Sequence, residues 1–174
     1  MILSMLKMIG IVCVFFGCIS LGMERIQRMK DRIWILREME RSLILFKGMA
    51  ETYRLPMEWI CEKISDQVHF PVSDFYKMLK IGLEQKEASN GEDIWIKCIK
   101  YMGKAFDKED QMLFLHLGAF LGVQDLRMQN EVIDNCILNV RNRMNQLEKE
   151  RPEKEHLYRV LSFSIGGFLI LFFI

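Results

Sequence analysis

The sequence predicts an all-α protein in which a bundle of about six helices lies between an apolar helix at each end. Apolar residues recur every three to four positions through the middle of the chain, and no stretch sustains the alternation typical of strands. Hydrophobic residues make up 51% of the 174 residues and charged residues 27%, yet positions 8–23 and 160–174 contain no charge. The two ends therefore belong to a different environment from the middle.

The N-terminal segment, residues 1–23, carries a single charge at Lys7. About 20 apolar residues are enough to span a bilayer as a helix, and a lysine near the end of such a helix can extend its amine to the membrane surface. A secretory signal peptide is the alternative, since a lysine followed by an apolar run is typical of one. No small-residue cleavage site precedes Glu24, which favours a retained transmembrane helix.

The C-terminal segment, residues 157–174, is also apolar and is interrupted only by Arg159 near its start. It is long enough to cross a bilayer if Arg159 reaches back to the surface. Basic residues lie on the inner flanks of both segments: Arg25, Arg28, Lys30 and Arg32 on one, Lys149, Arg151, Lys154 and Arg159 on the other. The positive-inside rule then places residues 24–156 in the cytoplasm and both termini across the cell membrane.

Small residues recur within the two apolar segments at helical spacing. They are Gly10, Cys13, Gly17 and Ser20 in the first segment, and Ser162 and Gly166 in the second. A stripe of small residues lets another membrane helix approach closely, either within the chain or from a partner. The alternative is that glycine is simply common in membrane helices.

The middle of the chain begins with a helix predicted over residues 24–50. Pro56 suits the first turn of a short second helix, and a third helix is predicted to follow Pro71. The polar stretch 84–91 ends in Asn-Gly and predicts a loop. These elements belong to one cytoplasmic domain.

A fourth predicted helix carries apolar residues from Trp95 to Phe106. Asp107, followed three positions later by Asp110, is typical of a helix N-cap with an acidic residue at its third position. The pair predicts the start of a fifth helix, over residues 111–121.

The sixth helix is predicted to run from Asp125 to the end of the chain through Pro152, with one buried stripe. The turn before it contains Leu121, Gly122 and Asp125, and Gln129 lies one turn into the helix. Gly122 suits the end of one helix and Asp125 the N-cap of the next. The four residues are predicted to cap helices, with a contact to a partner protein as the alternative.

Composition excludes several classes of site. The net charge of +1 gives no basic surface for nucleic acid. The cysteines are odd in number and include no CxxC pair, so they are expected to be reduced packing residues: Cys13, Cys18, Cys61, Cys98 and Cys136.

No catalytic constellation is recognisable. The three histidines show no metal-ligand spacing, and neither a phosphate-binding loop nor a G-x-S-x-G elbow occurs. His116 lies in an apolar run and is expected to be a core or helix-contact residue. Acidic residues such as Glu38 and Glu40 alternate with bases and are expected on solvated helix faces. We therefore expect no enzyme activity, cofactor, metal or small-molecule substrate.

The order of these features resembles the stage III sporulation protein AB family of endospore-forming bacteria, over the full length of the chain. The most specific match is LG-x-x-D-x-x-x-Q, carried here by Leu121, Gly122, Asp125 and Gln129. Further matches are MLKMIG at 5–10, the basic stretch 24–40, YRLPMEWI at 53–60 and HLYRVL at 156–161. The chain departs from the family pattern at LFKG, residues 45–48, and at Leu161-Ser162.

The resemblance implies a six-helix fold similar to the cytoplasmic domain of the inner-membrane platform protein of type II secretion and type IV pilus systems. It implies a non-enzymatic platform role in the secretion-like channel that joins mother cell and forespore. The expected location is the mother-cell membrane around the forespore. The expected partners are a secretion-type ATPase, other membrane proteins of the complex and the lipid bilayer. A general secretion or pilus platform protein and a secreted helical binding protein are the alternatives.

Overall fold

The computed structural model describes residues 2–53, 56–85, 90–118 and 126–173. Over these ranges the chain forms six α-helices, one short 3₁₀ helix and no strand, which confirms the predicted all-α class. The helices are α1 (Ile2–Tyr53), α2 (Met57–Ser65), α3 (Val72–Gln85), α4 (Gly91–Tyr101), α5 (Lys108–Gly118) and α6 (Leu126–Phe173). The 3₁₀ helix, Met102–Lys104, follows α4 directly.

The chain divides into two compact units. One contains residues 32–145, and the other contains residues 1–31 together with 146–174. Each unit includes part of α1 and part of α6, because these two helices are 52 and 48 residues long. Among the helical residues that the structure describes, no stretch has both the length and the apolarity needed to cross a membrane.

The core of the unit formed by residues 32–145 is rich in aromatic side chains. The Phe75 ring contacts the Trp95 ring edge-on, with centroids 4.9 Å apart, and the Tyr76 ring at 5.1 Å. Such perpendicular pairs stabilise a core beyond the area that they bury. The largest fully buried side chains include those of Leu36, Phe46, Ile64, Phe75, Tyr76, Trp95 and Phe114. All six helices contribute buried apolar residues to this core.

Two helix starts follow the local signals of the sequence. The Asn90 side chain accepts a hydrogen bond from the Asp93 amide (2.9 Å), and Asp107 accepts one from the Asp110 amide (3.0 Å). Each bond satisfies an amide that the first turn of a helix leaves without a backbone partner. The predicted end of the fourth helix at Phe106 is wrong, because α4 ends at Tyr101 and the chain tightens into the 3₁₀ turn.

A glycine allows a close helix contact in this unit. A Cβ atom added at Gly118 would lie 2.7 Å from Cδ1 of the Trp95 indole. The indole is buried against α5, where its Nε1 donates to the Phe114 carbonyl at 2.7 Å. Because the ring is fixed by this hydrogen bond, α4 and α5 can approach this closely only with glycine at position 118.

Candidate functional site

A cluster of charges joins three helices at one end of the unit formed by residues 32–145. At its centre is Asp110 on α5, whose side chain is fully buried. Arg32 on α1 binds it with two parallel hydrogen bonds, one from Nε to Oδ2 and one from Nη2 to Oδ1, the second at 2.8 Å. A buried carboxylate is tolerated only with such charged partners, and the bidentate geometry also fixes the orientation of the two helices.

Arg143 on α6 completes this charged junction. Its Nε lies 3.4 Å from Asp110 Oδ1, and its Nη2 pairs with Glu109. Asp107 accepts a further contact from Arg32 at 2.5 Å while capping α5. Two arginines from the two long helices thus converge on the first turn of α5, where carboxylates are also favoured by the helix dipole.

The junction has the character of a structural clamp. Burial by itself lowers the pKa of Arg32, but the hydrogen bond and the negative charge of Asp110 outweigh burial and raise this pKa above its ordinary value. Arg32 therefore stays charged at any physiological pH and cannot exchange protons in catalysis. The arrangement can hold α1, α5 and α6 together, which is a mechanical rather than a chemical capability.

A second buried carboxylate, Glu38 on α1, holds the connection between α2 and α3. Its Oε2 accepts one hydrogen bond from the His69 backbone amide (2.8 Å). The same oxygen lies 3.1 Å from His69 Nδ1, within hydrogen-bond distance. Burial alone raises the pKa of Glu38, but the two hydrogen bonds from His69 outweigh burial, so that the net pKa is below its ordinary value. The expectation that Glu38 is solvated is wrong: it is only 7% exposed.

Within the same unit, polar pairs link α1 directly to α6. Lys47 pairs with Asp134 at 2.7 Å, and Asn130 donates to Glu51 at 2.7 Å. A third pair joins Arg141 to Glu40. Residues later in α1 pair with residues earlier in α6. The two helices therefore run antiparallel here.

The small residues predicted to pack membrane helices are only partly described. A Cβ atom at Gly17 would meet open space, and Ser20 is exposed. In the unit formed by residues 1–31 and 146–174, the close approach between α1 and α6 occurs instead at Gly22, where a Cβ atom would collide with the Ser162 hydroxyl. Ser162 thus lies where α1 and α6 meet. That Ser162 and Gly17 pack membrane helices stays a prediction. The surroundings of Gly10, Cys13 and Gly166 are outside the part of the chain that the structure describes, so their predicted packing stays a prediction.

The turn that carries the most specific motif is mostly outside the described residues. Leu121, Gly122 and Asp125 fall there, so their predicted capping role stays a prediction. Gln129, the polar residue of the α6 stripe, is 6% exposed. Its burial beside Ile133, one turn on, agrees with the predicted stripe.

The remaining candidates are two cysteines and a histidine. Cys61 and Cys136 are buried, and burial raises the pKa of each thiol to about 12, which keeps both protonated. His116 is exposed, so the core alternative of its prediction is wrong; it lines a groove between α5 and α6, where the helix-contact alternative places it. Among the described residues, no group of three or more His, Cys, Asp or Glu side chains could hold a metal ion.

Comparison with known proteins agrees with this architecture. A family model described as Stage III sporulation protein AB matches residues 7–174. A solved structure titled "Stage III sporulation protein AB (SpoIIIAB)" superposes with a TM-score of 0.65 at 17% sequence identity, covering 71% of this chain and 98% of that one. At that identity the likeness concerns the fold alone. A search of curated proteins finds no match.

Fold and site together define an all-α helical protein whose buried charges serve to join helices. The family match covers nearly the whole chain, including the residues of the charged junction and of the LG-x-x-D-x-x-x-Q motif. The chain belongs to the stage III sporulation protein AB family, and its role is related to sporulation.

Proposed function

We propose that the chain is a non-enzymatic platform and assembly component of the secretion-like channel complex that joins mother cell and forespore during endospore formation. Membership of the stage III sporulation protein AB family supports the sporulation setting. The likeness to an inner-membrane platform domain, which the sequence resemblance implies, is the support for the mechanical role.

The observation that carries this proposal is the charged junction around Asp110. Arg32 and Arg143 bind one fully buried carboxylate from two different helices, which ties α1 and α6 to α5. Removing one member of a buried ionic cluster typically costs several kcal/mol, about 3–5 kcal/mol. A platform must keep its shape while neighbouring proteins push on it, and a clamp of this kind resists separation of the helices.

We further propose that residues 1–23 and 157–174 are transmembrane helices in the mother-cell membrane, with residues 24–156 in the cytoplasm. The support is the absence of charge from positions 8–23 and 160–174 and the basic residues that flank them on the inner side. In this arrangement the bundle is held to the membrane at both of its ends.

The proposed partners are a secretion-type ATPase in the mother-cell cytoplasm and the other membrane proteins of the complex. The support is what the resemblance to the family implies, together with the family match itself. The chain itself is proposed to position these proteins without binding nucleic acid, a cofactor or a small-molecule substrate.

The test is a clean deletion of the gene in the bacterium that carries it, followed by microscopy through sporulation. We expect arrest after engulfment, with a shrunken forespore and no late forespore gene expression. Complementation with the wild-type chain should restore heat-resistant spores, and so should Asp134→Asn, which alters only a surface pair. Normal heat-resistant spores in the deletion strain would contradict the proposal.

A further inference from the structure

The unit formed by residues 1–31 and 146–174 contains a cavity of about 360 Å³ between α1 and α6. Two contacts define the register of the helices along it. Lys30 lies 3.9 Å from Glu155, and Gly22 meets Ser162 eight residues earlier on α1 and seven residues later on α6. The helices are therefore antiparallel, and the glycine allows them to close one side of the cavity.

The cavity changes character along its length. At one end its walls are polar and include Lys30, Glu155 and Arg159; toward the other end they are apolar and include Ile19, Met23 and Phe163. Eleven helical residues separate Lys30 from Ile19, a distance of about 16 Å along the helix axis. A ligand that matches these walls must itself have a polar end and an apolar chain of comparable length.

The charge at the polar end is positive. Glu155 accepts a hydrogen bond from Arg151 Nε at 2.7 Å, and mainly because of this bond its pKa lies below the ordinary value. Its negative charge is thus met by Arg151, by Lys30 and, at longer range, by the charge of Arg159. Arg159 makes no hydrogen bond or close ion pair with any residue that the structure describes, and it lines the same cavity. Three bases therefore surround one carboxylate, and the net positive charge attracts an anion.

We propose that this cavity is a binding site for one anionic phospholipid, with the lipid phosphate at Lys30 and Arg159 and an acyl chain along Ile19 and Phe163. The inference rests on the proposed membrane anchoring, because it places the cavity at the cytoplasmic surface of the bilayer. Basic pockets between membrane helices on that side are suited to lipid headgroups. Snorkelling arginine and lysine side chains reach the depth of the phosphates.

The occupant must combine a phosphate with a hydrocarbon chain. A free anion would use the two bases but would leave the apolar walls in contact with water. An acidic peptide would not fill the narrow apolar end beside Ile19 and Met23. Only an amphiphile satisfies both ends of the cavity at once, and phosphatidylglycerol is the simplest probe of that chemistry.

The experiment compares lipid retention by the purified full-length chain in detergent, measured by native mass spectrometry. Phosphatidylglycerol is offered against phosphatidylcholine with the same acyl chains. We expect one phosphatidylglycerol to be retained in preference. Each basic residue near the membrane surface contributes about a fivefold gain in affinity, so Lys30→Gln with Arg159→Gln should weaken retention roughly 25-fold.

The matched control is Arg25→Gln with Arg28→Gln. These substitutions remove the same two charges from exposed positions that do not line the cavity. We expect retention within twofold of the wild type. If both double variants lose phosphatidylglycerol retention equally, general electrostatic attraction explains the retention and the proposal is overturned. If the cavity double variant loses helicity, Arg159→Gln alone replaces it, because that side chain supports no described hydrogen bond or ion pair.

Two further outcomes are decisive. Displacement of the lipid by sn-glycerol 3-phosphate at lipid-like concentrations would indicate a soluble-anion site and overturn the lipid assignment. A parallel extraction of membranes with alkaline carbonate separates this inference from the proposed function. Release of the chain would contradict the membrane anchoring itself, whereas a chain that stays in the membrane without preferring phosphatidylglycerol would contradict the lipid site only.

Discussion

Substitution of Asp110 by Asn should weaken the bundle far more than substitution of an ordinary surface carboxylate. The asparagine has nearly the same shape, so it leaves no cavity. It removes the negative charge that Arg32 and Arg143 both bind. It also replaces one acceptor oxygen by an NH2 group, which faces guanidinium groups that can only donate hydrogen bonds. Two positive side chains are then left near each other without their common partner.

The expected magnitude follows from the burial of the three groups. The Asp110 side chain is 0% exposed, whereas those of Arg32 and Arg143 are 20% and 18% exposed. Breaking a buried ion pair costs about 3–5 kcal/mol, and since water reaches both arginines the lower end, about 3 kcal/mol, applies. At roughly 2–4 °C per kcal/mol for a protein of this size, Tm should fall by about 6–12 °C.

The assay is thermal and denaturant unfolding of the purified full-length chain in a mild detergent, followed by circular dichroism. Asp134→Asn is the matched control, because Asp134 is 55% exposed in its pair with Lys47 and should cost less than about 1 kcal/mol. Equal effects of the two substitutions would refute the clamp. Replacing the triad together, as Arg32→Met, Asp110→Leu and Arg143→Met, should restore or exceed the wild-type unfolding free energy.

Two other predictions concern Glu38 and Gly118. The pKa of Glu38 is depressed in the folded state, so its stabilisation is present above its ordinary pKa of 4.5 and is lost as pH falls through the lower folded-state value. Glu38→Gln should therefore flatten the acid limb of a stability–pH curve, and an unchanged limb would contradict this. Gly118→Ala should cost about 1–3 kcal/mol by denaturant unfolding, because its Cβ meets the fixed Trp95 ring. Gly48→Ala, which meets open space in a helix, should stabilise by up to about 1 kcal/mol; equal signs for the two would show that packing at Gly118 is loose.

The parts of the fold that could be predicted from the sequence depend on signals a few residues apart. Pro56 directly precedes α2, and Asp107 caps α5 through an amide three positions away. Such signals depend on the local chain alone, and so does the helical spacing that gives the buried stripe of α6. The family motif at Asp125 could be recognised for the same reason.

The candidate site could not be predicted, because its partners are distant in sequence. Asp110 meets Arg32 across 78 positions, and Glu38 meets His69 across 31. An acidic residue between bases has the same pattern whether it faces solvent or a neighbouring helix, so Glu38 was expected on the wrong face. The contact at Gly22 was missed for a similar reason, since only the register against α6 selects it over Gly17.

The most direct measurement of the platform role is affinity purification of the tagged, functional chain from membranes of sporulating cells. We expect a secretion-type ATPase and other membrane proteins of the channel complex to co-purify, and we expect the unstable Asp110→Asn chain to recover less of them than Asp134→Asn does. Recovery of the wild-type chain alone, under mild detergent that keeps a known membrane complex intact, would contradict the platform role.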